Sequence, residues 1–126
     1  MFKYFSMENE KIVIVNSQIA SAELKIIAKK IFGDMVKAVV DVTKEIMAIG
    51  GEMHYDEEQL LLQSGSKQED LWGINLYVEL TGNDFIEYDS MINIRPRQNN
   101  RSRSVEDQEV RKKIISVIDK LIDFKK

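Results

Sequence analysis

The spacing of apolar positions changes several times along this chain, and each change predicts an element. The β-branched run Lys11–Val15 predicts a strand ended by Asn16 and Ser17. From Ser21 to Phe32 the apolar residues Leu24, Ile27, Ala28 and Ile31 recur at helical spacing, with Lys25, Lys29 and Lys30 off the stripe. Gly33 stands where a left-handed helix end is needed. Val36–Val42 and Glu45–Ile49 read as a hairpin turning near Thr43 and Lys44. Both of its faces are apolar, which predicts central strands covered on two sides. Gly50 and Gly51 break the run, and a short helix follows, with Asp56 as N-cap, Leu60–Leu62 apolar and Gly65 as terminator.

A second hairpin is predicted from Trp72 onward. Trp72, Ile74, Leu76, Val78 and Leu80 share one face, and Ile86, Tyr88, Ile92 and Ile94 share a face of the returning strand. Bringing both sets to one side pairs Tyr77 with Asp89, Asn75 with Met91 and Gly73 with Asn93, around a loop from Thr81 to Phe85. The other face then presents Asn75, Tyr77, Asp89, Asn93 and Arg95, a polar surface on a sheet. Gly73 admits a ligand or another backbone closely there, or marks a bulge or bend with Trp72 simply in the core. After a loop from Pro96 to Arg103, Ser104 and Asp107 suggest a capping box for a last helix. Its buried stripe is Val110, Ile114, Val117, Ile118 and Leu121. The order β-α-β-β-α-β-β-α predicts an α+β fold, a largely antiparallel sheet with helices packed against it. Residues 11–126 form one domain in this reading, and residues 1–10, which include a second methionine at Met7, a loosely held extension.

Composition adds boundaries. At 126 residues, with 44% hydrophobic and 31% charged positions, the chain suits one globular domain. No apolar run approaches the roughly 20 residues of a membrane span, and the first residues do not resemble a signal peptide. The chain has no cysteine, so it has neither disulfide nor thiolate metal site, which fits a cytoplasmic location. A net charge of −3 argues against coating nucleic acid along the whole surface. The arginines are segregated, however: Arg95, Arg97, Arg101 and Arg103 are four of the five in the chain.

That cluster is the first candidate site. Guanidiniums, amides and hydroxyls lie in one loop before a helix N-terminus, an arrangement that suits phosphate or carboxylate. The competing reading is a solvated loop whose arginines pair with Asp89, Glu106 and Asp107. The second candidate is Glu52, His54 and Asp56, which would converge on one side of an extended segment and include the only histidine. They would bind Mg²⁺ or Mn²⁺ or transfer a proton, whereas zinc needs more histidine or cysteine than this chain has. Against this stands a loop histidine bonded to its acidic neighbours. Triad catalysis has no motif to support it.

Several segments taken together carry a resemblance: FGDMVKAVVD at 32–41, EIMAIGGEMH at 45–54, GSKQ at 65–68, LWGINLY at 71–77, DSMINIRP at 89–96 and NRSR at 100–103. Over residues 19–122 the chain resembles a family of small prokaryotic proteins classed as a domain of unknown function. The resemblance implies a stand-alone single domain and no particular activity.

The leading expectation is a binding module for a phosphate-bearing small molecule or an RNA segment. Asn75, Tyr77, Asp89, Asn93, Arg95, Arg101 and Arg103 would form its surface. The alternatives are a metal-assisted phosphoester hydrolase built on Glu52, His54 and Asp56, and a homo-oligomer whose polar face is a subunit interface.

Overall fold

Strands that are apolar on both faces need cover on both sides, and the computed structural model supplies it. The structure describes residues 2–7 and 10–126, with side-chain surroundings from residue 12 onward. The expectation of a loosely held extension over residues 1–10 falls partly on Met1, Glu8 and Asn9, which lie outside the described residues.

The strands β1 (Phe2–Met7), β2 (Glu10–Val15), β4 (Met35–Asp41), β5 (Ile46–Ile49), β6 (Leu71–Tyr77) and β7 (Ile86–Glu87) form one antiparallel sheet in the order β1-β2-β5-β4-β6-β7. Between β2 and β4 lie β3 (Ile19–Ala20) and α1 (Ser21–Ile31). The helix α2 (His54–Gln63) separates β5 from β6, and α3 (Gln108–Leu121) runs into β8 (Ile122–Asp123), which pairs in parallel with β3.

Alternation along the strands divides the core in two. Val13, Val36, Ala38, Met47, Ile74 and Leu76 meet Leu24 and Ala28 of α1 and Ile114, Val117, Ile118 and Leu121 of α3. On the opposite face, Ile12, Ile14, Val39, Ala48 and Leu71 meet Leu60 and Leu61 of α2. Each Val, Leu, Ile or Met among them contributes about 1.5–3 kcal/mol when fully buried. The expected α+β class, the two-sided cover of the first hairpin and the α3 stripe hold, as does the α1 stripe over Leu24, Ile27 and Ala28, whereas Ile31 at its end is exposed.

Local chemistry fixes the ends. The Gly33 N–H reaches the Ala28 carbonyl at 2.7 Å with φ at +95°, closing α1 as expected. Asp41, fully buried, accepts from the Thr43 and Lys44 N–H groups at 3.0 and 2.8 Å. Its other oxygen takes the Ser66 hydroxyl at 2.6 Å, tying the first hairpin's turn to the end of α2. Two caps differ from expectation. The α2 helix begins at His54 after Met53, which leaves Asp56 inside the first turn. Asp107 caps α3 by itself, accepting from the Glu109 N–H at 2.8 Å, while Ser104 instead accepts from Arg111.

The second hairpin departs most. Glu87, not Met91, stands opposite Asn75, and pairing covers only Asn75 with Glu87 and Leu76 with Ile86. Beyond Glu87 the chain folds against the α2 side of the sheet through short 3-10 turns at Met91–Asn93 and Pro96–Gln98. The expected apolar set is thereby split: Ile86 and Tyr88 join the core of α1 and α3, Ile92 joins the α2 cluster, and Ile94 is exposed. The physical reason is Gly73. A Cβ there would lie 2.6 Å from both Cβ and Oγ of Ser90, so only glycine leaves room for the segment that crosses it. Gly73→Ala is therefore expected to destabilise the fold by about 1–3 kcal/mol in urea unfolding. Ser90→Gly on that background should recover part of the loss, and equal stability of Gly73→Ala and wild type would contradict this packing.

Candidate functional site

The side chains of the 90–104 loop are directed mainly at the protein itself. Once β7 ends, the outer edge of β6 has N–H and C=O groups that no strand pairs. Asn93, fully buried, supplies the missing partner at Gly73. Its Oδ1 accepts from the Gly73 N–H at 2.8 Å and its Nδ2 donates to the Gly73 carbonyl at 2.9 Å. Further along the edge, Arg95 donates to the Leu71 carbonyl at 2.7 Å and also to the Gln68 carbonyl in the turn before β6, with its guanidinium 4.2 Å above the Trp72 ring. Gln98 donates to the Glu69 carbonyl at 3.0 Å. Asn100 holds the loop from within. Its Nδ2 reaches the carbonyls of Asn93 and Ser104, each at 2.7 Å, and its Oδ1 accepts from the Glu106 N–H at 2.9 Å.

The backbone N–H groups of Arg101 and Ser102 and the Arg103 guanidinium are occupied as well. The Glu106 carboxylate accepts from the N–H groups of Arg101 and Ser102 at 3.0 and 2.9 Å and from the Ser102 hydroxyl at 2.7 Å. These contacts, the hydroxyl first, hold its pKa below the usual carboxylate range. Arg103 pairs with Asp89 at 2.5 Å. Arg97 and Arg101 are exposed. Of the expected polar face, Asn75 and Tyr77 do meet, around a residue that sequence reasoning omitted. Glu87 accepts from Asn75 at 2.9 Å and from the Tyr77 hydroxyl at 3.0 Å. Asn75 also donates to the Asp89 carbonyl at 3.3 Å. Burial first, and then Glu87, raises the Tyr77 pKa.

Glu52, His54 and Asp56 are not brought together. An extended segment would align them, but His54 and Asp56 lie in the first turn of α2, where two residues are about 200° apart around the axis. Glu52 is exposed, while His54 is buried. Its Nε2–H donates to the Ile74 carbonyl at 2.7 Å, which requires the proton on that nitrogen in the neutral ring. Burial above all pulls its pKa from 6.5 to about 4; the Ile74 bond and Asp89 oppose the shift, and Lys37 and Arg103 reinforce it. Such a histidine is a poor general base near neutral pH. Among the described residues no three histidine, aspartate or glutamate side chains gather as a metal-binding group.

Sequence reasoning also missed a cleft of about 720 Å³ between residues 80–88 and the outward face of α3. Leu80, Phe85, Ile86, Tyr88, Ile115 and Phe124 give it apolar walls. Leu80, Ile115 and Phe124 are 48%, 44% and 52% exposed, unusual for large apolar side chains on one surface. Phe124 packs edge-on against Phe85 with ring centroids 5.2 Å apart. Arg111 and Lys112 line the cleft toward the start of α3, and Asp119 lines it two turns later. The Arg111 guanidinium lies 4.2 Å above the Tyr88 ring and is held by the Val105 carbonyl at 2.6 Å and the Ser104 hydroxyl at 2.8 Å. Lys112 pairs with Glu109 at 3.1 Å. The available signals were Ile115, apolar yet off the buried stripe of α3, and Arg111, the one arginine outside the loop cluster.

Two outcomes follow. Asn100→Ala strands several buried loop groups, each costing about 1–3 kcal/mol, whereas exposed Arg101→Ala should stay within about 0.5 kcal/mol. Urea midpoints test this, and a larger loss for Arg101→Ala would contradict it. The second concerns pH. With its folded pKa depressed, His54 contributes stability that is present above pH 6.5 and lost as pH falls toward about 4. The full loss is about 3 kcal/mol. Glu58, whose pKa burial raises, acts with the opposite sign, so the difference between wild type and His54→Gln isolates the histidine. An unchanged pH slope in His54→Gln between pH 6.5 and 4 would refute the assignment.

No curated protein and no solved structure matches the chain. A family model does, over residues 13–121, and that span includes the strands β4 to β7, the stitched loop and α3. The chain belongs to the family described as protein of unknown function (DUF5674).

Proposed function

We propose that this protein is a non-catalytic binding module that takes a small organic anion in the cleft between residues 80–88 and α3. The observation that carries this reading is the cleft itself. Its volume of about 720 Å³ falls in the range of small-molecule sites, and its apolar walls adjoin a fixed guanidinium. The anion moves from the arginine loop, where it was first expected, to Arg111. In the loop, Arg95 bonds carbonyls of the protein, Arg103 is paired, and Glu106 occupies the backbone N–H groups. The loop serves this site as its scaffold, because Ser104 and Val105 at its end orient Arg111.

A phosphoester hydrolase has less support, because His54 and Asp56 diverge and His54 is buried and neutral. An RNA partner would rely on Arg97 and Arg101 alone within the loop.

A thermal-shift screen with small organic anions, nucleotides and short RNAs checks the proposal. A ligand at ~100 times its dissociation constant stabilises by about 2.7 kcal/mol, a rise of several degrees. Ile115→Glu should keep the fold, because Ile115 is largely exposed, and should abolish the shift. A shift that survives Ile115→Glu but is lost in Arg101→Ala would move the site back to the loop.

A further inference from the structure

The polar groups around the cleft are sparse enough to specify the charge of its occupant. Arg111 has five N–H donors, and two of them are engaged on the Nε side by Val105 and Ser104. The stack on Tyr88 fixes the plane of the guanidinium. What remains for a ligand is the terminal Nη end, which suits one planar oxyanion approaching end-on. Lys112 contributes less than Arg111, since its side chain is mostly solvated and shares its charge with Glu109 at 3.1 Å. Asp119 places a negative charge two turns along α3, about 12 Å from Arg111. A phosphate monoester, carrying about −1.5 to −2 at neutral pH, would meet, among the described residues of the cleft, one fixed guanidinium, a lysine shared with Glu109 and an opposing carboxylate. A carboxylate carries a single charge and matches that guanidinium.

The apolar part has a direction as well. Ile115 lies one turn beyond Arg111, and the Phe85–Phe124 pair presents ring edges in the same cleft. Resting on the binding-module reading, we infer that the cleft takes an aryl-alkyl monocarboxylate, with its carboxylate on Arg111 and its ring along Ile115 toward Phe85 and Phe124. Asp119 then excludes a second anionic group at the far end of the ligand.

The experiment is a calorimetric titration of the full chain with four probes: phenylbutyrate, phenylbutyramide, phenylbutyl phosphate and phenylene dipropionate. Phenylbutyrate should bind about tenfold or more tightly than the neutral amide and the phosphate, the scale of one charge-assisted contact. The dipropionate should bind more weakly than phenylbutyrate, and Asp119→Asn, at an exposed position, should narrow that gap. Arg111→Lys keeps the charge but loses the planar fork and the stack, so it should weaken phenylbutyrate alone by about tenfold. Circular dichroism confirms that this variant folds, and Asp119→Asn tests the inference independently if it does not. Equal binding of the amide or the phosphate would overturn the carboxylate assignment and leave the cleft reading standing. So would failure of all four probes when another ligand gives a thermal shift that Ile115→Glu removes. No ligand of any class in the cleft would overturn both.

Discussion

The structure turns on how the outer edge of β6 obtains its hydrogen bonds. A buried backbone N–H or C=O without a partner costs about 1–3 kcal/mol, so an edge strand whose neighbour stops after two residues needs a substitute. Asn93 and Arg95 provide one at Gly73 and Leu71, and Arg95 and Gln98 continue onto the carbonyls of Gln68 and Glu69 in the short turn that precedes β6. Side chains thus stand in for a neighbouring strand at these two residues of β6. Asn100 in turn positions the backbone from which Asn93 projects.

This constraint reassigns the most conspicuous part of the sequence. A loop rich in arginine and asparagine before a helix suggests anion recognition, yet Asn93, Arg95, Asn100 and Arg103 face the protein's own carbonyls and carboxylates, while Arg97 and Arg101 face solvent. Glu106 sits on the backbone N–H groups where a bound anion would otherwise sit. The guanidinium that borders the cleft lies further along the chain, at Arg111. Loop and cleft are mechanically linked, because Ser104 and Val105 close the loop and also hold that guanidinium.

Most of the fold was legible because period and burial speak directly to each other. The apolar double faces of β4 and β5 demanded two layers, and the stripes of α1 and α3 identified their inward sides. The register of β6 and β7 was not legible. Alternation from Ile86 to Ile94 reads as one strand, but the segment leaves the sheet after Glu87 and crosses Gly73 through a 3-10 turn that puts Ile92 on the other side, and pattern alone carries no sign of that. Gly73 was the true clue, and its meaning needed Ser90 in space. For the site, sequence reasoning brought Asn75, Tyr77, Asp89 and Arg103 into one neighbourhood. It could not tell a guanidinium facing solvent from one covering a strand edge, as Arg95 does. The cleft left only a faint signal: Ile115 is a single apolar position off the α3 stripe, and Leu80 looks like an ordinary core residue until the helix and the loop are placed.

The central claim is that the loop is scaffold and the cleft is the site. Mapping amide shifts by two-dimensional NMR during titration with phenylbutyrate tests it most directly. The account predicts changes at residues 80–88 and along α3 from Gln108 to Asp119, with residues 93–103 and 52–56 unmoved. Changes centred on Arg95–Arg103 or on Glu52–Asp56 would contradict it.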